Sequence, residues 1–236
     1  MAGARGPKIV TGGLVFAVDA GNTKSYPGSG TTWSDTSGGG HEGTLSGMGS
    51  THFDSADGGS FEFFGGLYTN NQIDIDIGDS LVKDFTLDFW MKSAADIEGR
   101  GAIAFGDTGS GINLGFIAAY ILQTNLCTFW WGTESARTSK QMTAVDLADN
   151  KWHHIVQNYD GTNAKVYVDT NLVLHDSTTF SGNLRDGISS NLRIGRWRES
   201  QTTQDMKISA VKVYNKALTA SEVKENFDAL RGRYGI

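Results

Sequence analysis

Three aspartates recur at a spacing that can bring carboxylates together. Asp74, Asp76 and Asp79 lie in the run DIDIGD. Side chains two residues apart in a strand point to the same face, so a strand here places Asp74 beside Asp76. A retaining glycosidase uses two carboxyl groups about 5 Å apart as nucleophile and acid/base. The alternation of Ile with Asp favours the other interpretation, an ordinary strand with isoleucines inward and aspartates outward.

The same three carboxylates, together with Asp107, are candidate ligands for Ca²⁺. Calcium binds about six to eight oxygens from carboxylates, carbonyls and water, and Asp54 and Asp57 are further oxygen donors nearby in the sequence. The chain contains no compact D-x-D-x-D-G loop that would assemble such a site locally. Calcium therefore remains an open alternative, and no cofactor is firmly predicted.

Aromatic residues that could stack on sugar rings form a second group of candidates. Trp130, Trp131 and Trp197 are the aromatic candidates, and Arg196 precedes Trp197. Neighbouring residues in a strand face opposite sides, so only one of Trp130 and Trp131 can point outward. Arg196 offers a guanidinium to a sugar or to an acidic surface of a neighbouring subunit.

The adjacent histidines His153 and His154 point to opposite faces of a strand and cannot chelate one metal together. We therefore expect structural roles for them. No arrangement of Ser, His and Asp that would support nucleophilic catalysis can be argued from their order in the chain.

The segments that must position these residues have the sequence patterns of β-strands. Residues Phe85–Lys92 alternate apolar with polar or aromatic side chains, the period of a strand with two unlike faces. Residues Trp152–Val173 contain two strand-like runs around Asp160-Gly161, a dipeptide suited to a tight hairpin. The pattern predicts an all-β protein.

One short helix is predicted at the C-terminus, over residues 219–231. Thr219 can cap it, with Glu222 completing a capping box. Leu218 and Val223 are placed as a hydrophobic staple, and Gly232 suits the C-terminal stop. We expect this helix to close the fold.

Composition supports a single β-rich domain over residues 1–236, with residues 1–12 as an N-terminal arm. The chain has 31 glycines against 2 prolines, which suits many tight turns. Its single cysteine, Cys127, cannot form an internal disulfide. The N-terminal residues lack the apolar run of a signal peptide, and no run is long enough for membrane insertion.

Charge is unevenly distributed along the chain. Residues 35–107 hold 13 acids and 3 bases, whereas residues 185–236 hold 10 bases and 6 acids. This polarity could guide self-association or packing on a partner, although an ordinary acidic surface explains it equally simply. No dense basic stripe is present, so nucleic-acid binding is not expected.

The two ends of the chain carry more specific motifs. Residues Asp19–Gly38 read DAGNTKSYPGSGTTWSDTSG, and residues Tyr214–Gly235 read YNKALTASEVKENFDALRGRYG. Both resemble laminin-G-like proteins of tailed bacteriophages, within the concanavalin A-like lectin/glucanase superfamily. The resemblance covers essentially the whole chain. It implies a jelly-roll β-sandwich with one short C-terminal helix.

The resemblance implies a non-enzymatic virion structural protein, assembled in the host cytoplasm and displayed as a capsid decoration or as a tail or fibre component. Its partners would be other virion proteins and cell-surface glycans. Glucanases of the superfamily use E-x-D-x-x-E, whereas this chain has shorter carboxylates in D-x-D-x-x-D. A host-attachment lectin and a glycan-cleaving depolymerase remain as alternatives.

Overall fold

The computed structural model describes residues 8–64, 71–78, 84–94, 102–106, 114–123, 126–132, 137–142, 145–177, 191–195 and 205–236. Its strands, in chain order, are β1 (Leu14–Asp19), β2 (Thr32–Trp33), β3 (Gly43–Ser46), β4 (Phe53–Asp54), β5 (Ser60–Phe63), β6 (Gln72–Asp76), β7 (Phe85–Ser93), β8 (Ile103–Gly106), β9 (Leu114–Gln123), β10 (Leu126–Gly132), β11 (Arg137–Met142), β12 (Trp152–Tyr159), β13 (Ala164–Val168), β14 (Asn171–Asp176), β15 (Asn191–Ile194) and β16 (Met206–Tyr214). The helix α1 (Ala220–Leu230) follows, and a 3-10 turn (Arg231–Arg233) succeeds it.

The strands of the described residues form two antiparallel sheets of eight strands each. Sheet A has the order β14-β13-β12-β7-β16-β5-β4, and β1 also pairs with β16. Sheet B has the order β11-β10-β9-β8-β15-β6-β3-β2. Apolar side chains from both sheets form one core cluster between them, which is the packing of a β-sandwich. The predicted all-β jelly-roll with one C-terminal helix is confirmed.

Strand β7 lies at the centre of sheet A and is buried on both faces. Phe85, Leu87 and Phe89 point into the core between the sheets. Asp88 and Trp90 lie on the outer face, yet both are 0% exposed. Helix α1 and the residues after it cover them, since Phe227, Leu230 and Tyr234 pack against the Trp90 cluster. The alternation in the sequence therefore separates a core face from a face beneath the helix.

The loop after β1 covers an edge of sheet A. Trp33 anchors it in the core at 0% exposure, with its ring centroid 4.7 Å from that of Phe61. The Asp35 carboxylate accepts a hydrogen bond from the Ala17 amide at 2.9 Å, and the Thr36 amide donates to the Ala17 carbonyl at 2.7 Å. The loop thus occupies hydrogen-bonding groups of β1 that an open edge would expose.

The helix begins as the sequence predicts but ends differently. The Thr219 hydroxyl accepts from the Glu222 amide, and the Glu222 carboxylate accepts from the Thr219 amide, so the capping box is confirmed. Leu218 and Val223 lie in one buried cluster. The prediction for Gly232 is wrong, because this residue lies inside the 3-10 turn. The tail reaches a left-handed backbone only at Gly235, where φ is 74°.

Candidate functional site

The aspartates of β6 lie on the outer face of sheet B. Ile73, Ile75 and Ile77 are 0% exposed in the core, as the alternation predicted. The Asp74 carboxylate accepts a hydrogen bond from Arg193 Nε at 2.7 Å and a further bond from the Gln72 side-chain amide. Asp74 is thus joined to the neighbouring strand β15 by an ion pair.

Asp76 is exposed and stabilises its own turn. Its carboxylate accepts a hydrogen bond from the Gly78 amide at 2.9 Å, and its backbone carbonyl contacts His41 Nδ1 at 2.9 Å. Within the described part of the chain, no group of three or more His, Cys, Asp or Glu side chains is placed to hold a metal ion. Asp79 and Asp107 lie outside the described residues.

The side chains of Trp130 and Trp131 point to opposite faces of β10, as the geometry of a strand requires. Trp131 points into the core and is 1% exposed, so its inclusion among the carbohydrate-binding candidates is corrected: it cannot contact a bound sugar. Trp130 lies on the opposite face and is half-buried. Its backbone carbonyl accepts a hydrogen bond from the Gln157 side chain at 2.9 Å, which ties β10 to sheet A. Trp197 and Arg196 lie outside the described residues.

Strand register places Trp130 in one row with polar residues of neighbouring strands. Trp130 pairs with Ile117, Ile117 with Ala104, Ala104 with Arg193, and Arg193 with Asp74. We call Trp130, Arg193 and Asp74 the Trp130 face. Three strand spacings separate Trp130 from Arg193, about 14 Å. Arg193 holds Asp74 in place across 119 residues of chain, and no motif in the sequence signals this pairing.

A buried polar network lies under helix α1. The Asp88 carboxylate receives Lys212 Nζ and Asn226 Nδ2, each at 2.8 Å, and lies 3.1 Å from His154 Nε2. Burial by itself would raise the pKa of Asp88, but the charges of Lys212 and His154 outweigh burial and lower it well below its usual value. Asn226 also accepts a hydrogen bond from the Val10 amide at 2.8 Å, so the network holds the N-terminal segment.

His153 points away from this network, as expected for neighbouring strand residues. Its Nδ1 lies 2.7 Å from Asp169 and its Nε2 lies 3.1 Å from Asp149. Burial disfavours the imidazolium, but the hydrogen bonds and charges of the two carboxylates outweigh burial and raise the pKa of His153. Both histidines therefore have structural partners.

A cleft opens at one end of the outer face of sheet A. It comprises two cavities of about 400 and 160 Å³ that share Lys92 as a lining residue. Trp152 and Asp57 line the larger cavity, and Phe64 lines the smaller. We call it the rim cleft. No sequence pattern groups these residues, because they come from segments far apart in the chain.

Comparison with known protein families identifies the fold family. The model of the concanavalin A-like lectin/glucanases superfamily matches residues 64–224, which is more than half of the chain. The chain belongs to this superfamily. No curated protein matches its sequence significantly.

Solved structures share the superfamily fold at low sequence identity. The structure of botulinum neurotoxin type C, whose cell entry depends on interaction with two ganglioside molecules, matches with TM-score 0.70 and 15% identity over 92% of this chain and 51% of that one. The receptor-binding domain of botulinum neurotoxin type G matches with TM-score 0.65 and 16% identity over 91% and 50%. A Trypanosoma rangeli sialidase, in complex with sialic acid, matches with TM-score 0.66 and 16% identity over 94% and 33%.

This superfamily member thus spans about half the length of the neurotoxin structures that it resembles, and a third of the sialidase. At these identities the likeness shows the fold alone. In the described part of the chain, no helix has both the length and the apolar character needed to cross a membrane.

Proposed function

We propose that this protein is a non-enzymatic, glycan-binding structural protein displayed on a bacteriophage particle, as a capsid decoration or as a tail or fibre component. The glycan-binding part rests on the Trp130 face. It places a half-buried tryptophan in one row with a guanidinium and a carboxylate on a sheet face. An aromatic ring accepts the C–H edges of a pyranose, and paired charged groups exchange hydrogen bonds with hydroxyls.

The proposal that the protein is not an enzyme rests on the contacts of the two carboxylates of β6. Asp74 is held by Arg193, and Asp76 is held in a turn. We therefore expect the wild type, Asp74→Asn and Asp76→Asn alike to leave an incubated polysaccharide intact. Release of reducing sugar by the wild type, abolished in Asp74→Asn or Asp76→Asn, would instead establish the depolymerase.

Glycan binding is tested by replacing the outward tryptophan. We expect Trp130→Ala to weaken glycan-array binding by about 5- to 150-fold, because stacking on an aromatic ring contributes about 1–3 kcal/mol in other ligand systems. Leu172→Ala is the matched control, because it removes an apolar side chain that is 50% exposed on a different sheet. Equal binding by the wild type and Trp130→Ala would exclude this face.

Display on a particle is supported by the resemblance of both chain ends to tailed-phage proteins. The copy number per purified particle, measured by quantitative mass spectrometry, tests this part. We expect hundreds of copies for a capsid decoration. A handful of copies would indicate the tail and favour a host-attachment lectin, and absence from particles would refute the virion role.

A further inference from the structure

The rim cleft lies where four strands of sheet A end side by side on its outer face. Strand register places Glu62, Lys207, Lys92 and Trp152 directly opposite one another in a single row across β5, β16, β7 and β12. Met91 and Met206 point into the core from the neighbouring positions, so the row belongs to the outer face. The cleft is therefore built on strands whose positions the sandwich core fixes.

The row brings two lysines together, and they differ in their partners. Lys207 Nζ lies 2.7 Å from Asp54 and 3.7 Å from Glu62. Lys92 is half-buried, and no acceptor among the described residues lies within hydrogen-bond or ion-pair distance of its ammonium group. Like charges directly opposite on neighbouring strands destabilise a sheet. Asp54 offsets part of this repulsion, because the charges of Lys207 and Lys92 both lower the pKa of its carboxyl. An anionic group bound at Lys92 would offset the rest.

The remaining charges of the larger cavity already have partners. Lys151 Nζ lies 2.6 Å from Asp149, and His153 lies between Asp149 and Asp169. Asp57 accepts a hydrogen bond from Trp152 Nε1 at 3.0 Å. Lys92 is thus the lining cation of the described cleft that a ligand can neutralise without breaking an existing pair.

The acids of the cleft restrict the kind of anion. Asp57 and Asp169 line the larger cavity, and Glu62 and Asp205 line the smaller one. Their carboxylate oxygens carry lone pairs that accept hydrogen bonds from hydroxyl groups. They also repel a second negative charge, so a phosphate group with a charge near −2 is disfavoured. A ligand with one carboxylate and several hydroxyls satisfies Lys92 and the acids together.

Several non-glycine residues around the cleft have positive φ. Among the described residues, the non-glycine residues with positive φ are Asp57, Asn150, Asp169 and Thr170. Asp57 and Asp169 line the larger cavity, Asn150 lines the smaller one, and Thr170 follows Asp169. Asp and Asn tolerate this region, but a β-branched Thr at φ 72° is an outlier. Asp169 and Thr170 form the two-residue turn of the β13–β14 hairpin, a kind of turn that has positive φ at both positions. This turn fixes the position of the Asp169 carboxylate at the cleft.

We infer that the rim cleft binds a carboxylated sugar, with Lys92 receiving the carboxylate and Asp57 and Asp169 accepting hydroxyl hydrogen bonds. Phe64, which is 41% exposed beside Lys92, offers an apolar surface to the sugar ring. The site lies on the opposite sheet from the Trp130 face, and it binds its ligand whether or not that face binds a glycan.

The test is an NMR-monitored titration with paired sugars that differ in a carboxylate. One pair is 3′-sialyllactose against lactose, and the other is cellobiouronic acid against cellobiose. We expect one acidic member to bind at least tenfold more tightly than its neutral partner. The two pairs distinguish a sialic acid from a hexuronic acid, and glucose 6-phosphate tests a dianionic sugar.

Variants assign the binding to the cleft. We expect Lys92→Met to weaken binding of the acidic sugar about tenfold or more, because the charged hydrogen bond is lost. Lys92→Arg should stay within about threefold of wild type. Trp130→Ala should leave this binding unchanged, so failure of the Trp130 face and failure of the rim cleft are separable. The melting temperature of Lys92→Met is measured alongside, so that weaker binding by a folded variant is attributed to the lost ammonium group.

Three results would overturn the inference. The first is that the acidic sugar and its neutral partner bind equally in both pairs, or that none of the four sugars binds. The second is unchanged affinity in a folded Lys92→Met variant. The third is tighter binding of glucose 6-phosphate than of either carboxylated sugar, which would assign a phosphate site instead.

Discussion

Asp88 shows how single residues fix the outer layer of the sandwich. It is 0% exposed, and it interacts with Lys212 from β16, Asn226 from α1 and His154 from β12. A buried carboxylate is tolerated only when charges and hydrogen bonds replace its lost hydration. The network therefore joins α1 to β7, β12 and β16 by polar contacts, in addition to the packing of Phe227 on Trp90.

Removing the lysine of this network should destabilise the protein strongly. We expect Lys212→Met to lower the free energy of unfolding by about 3–5 kcal/mol, because the Asp88 carboxylate stays buried without its main counter-charge. Lys224→Met is the control, since the Lys224–Asp228 pair is exposed and should contribute about 0.5 kcal/mol or less. Urea denaturation measures both, and equal effects would contradict the role of burial.

His153 should make stability depend on pH in a defined direction. Asp169 and Asp149 raise its pKa above the ordinary value of 6.5. Because the pKa of His153 is higher in the folded than in the unfolded protein, protonated His153 stabilises the fold. This stabilisation is complete at pH values below the unfolded pKa, and it is lost as pH rises through the folded pKa. We expect His153→Gln to cost more free energy of unfolding at pH 5.5 than at pH 9, as measured by denaturation at each pH. An equal cost at both values would contradict a charged His153.

At the scale of elements, two glycine-containing turns bring the chain ends together. Gly21 follows β1 and packs so closely on Gly58 that a β-carbon at Gly21 would overlap the Gly58 carbonyl oxygen. Gly58 in turn lies against the aliphatic part of the Arg233 side chain. Both glycines are required where the segments around Gly21, Gly58 and Arg233 approach one another closely. The spacing of these residues along the sequence gives no indication of this contact.

Substituting the first of these glycines tests the contact. We expect Gly21→Ala to cost about 2–3 kcal/mol of unfolding free energy, because the backbone must move to admit the methyl group. Gly49→Ala is the matched control, since its φ of −116° is ordinary and no atom lies within 4 Å of the added carbon. Calorimetric melting should show a lower midpoint for Gly21→Ala alone. A Gly21→Ala protein as stable as wild type would disprove the close packing.

At the scale of the whole molecule, an ion pair joins the first strand to the last residues. Arg233 Nη1 and Nη2 donate to the two Asp19 carboxylate oxygens at 2.6 and 2.9 Å. The adjacent Tyr234 stacks on Trp90 at 4.3 Å and donates from its hydroxyl to Ser209 at 2.8 Å. The DAGN motif and the RGRYG motif are therefore two halves of one structural unit that closes the sandwich.

Removing the Arg233–Asp19 ion pair should destabilise the first strand and the C-terminal helix together. We expect Arg233→Met to cost about 1–3 kcal/mol, in line with hydrogen bonds between charged groups. Arg231→Met is the control from the same 3-10 turn, because Arg231 is half-exposed and pairs with Asp228 on the surface. Hydrogen exchange should show faster exchange of the amides of both β1 and α1 in Arg233→Met. Faster exchange in α1 alone would contradict a shared unit.

Local patterns in the sequence determined the strands β7, β12 and β13, the capping box and the inward isoleucines of β6. Each of these depends on residues within a few positions, where side-chain alternation and capping chemistry act directly. Strands β2, β3, β4, β11 and β14 were not predicted from these patterns. Strand β14 follows a turn at Asp169-Thr170 with positive φ at both residues, and Thr gives no sequence signal for such a turn.

The tertiary structure alone decided which residues meet across long separations. Sequence alternation showed that only one of Trp130 and Trp131 could point outward, but burial showed that it is Trp130. The pairing of Arg193 with Asp74, the burial of Asp88 under α1 and the placement of Lys92 opposite Lys207 depend on strand order. Strand order follows from packing between distant segments, and the spacing of residues along the chain does not encode it.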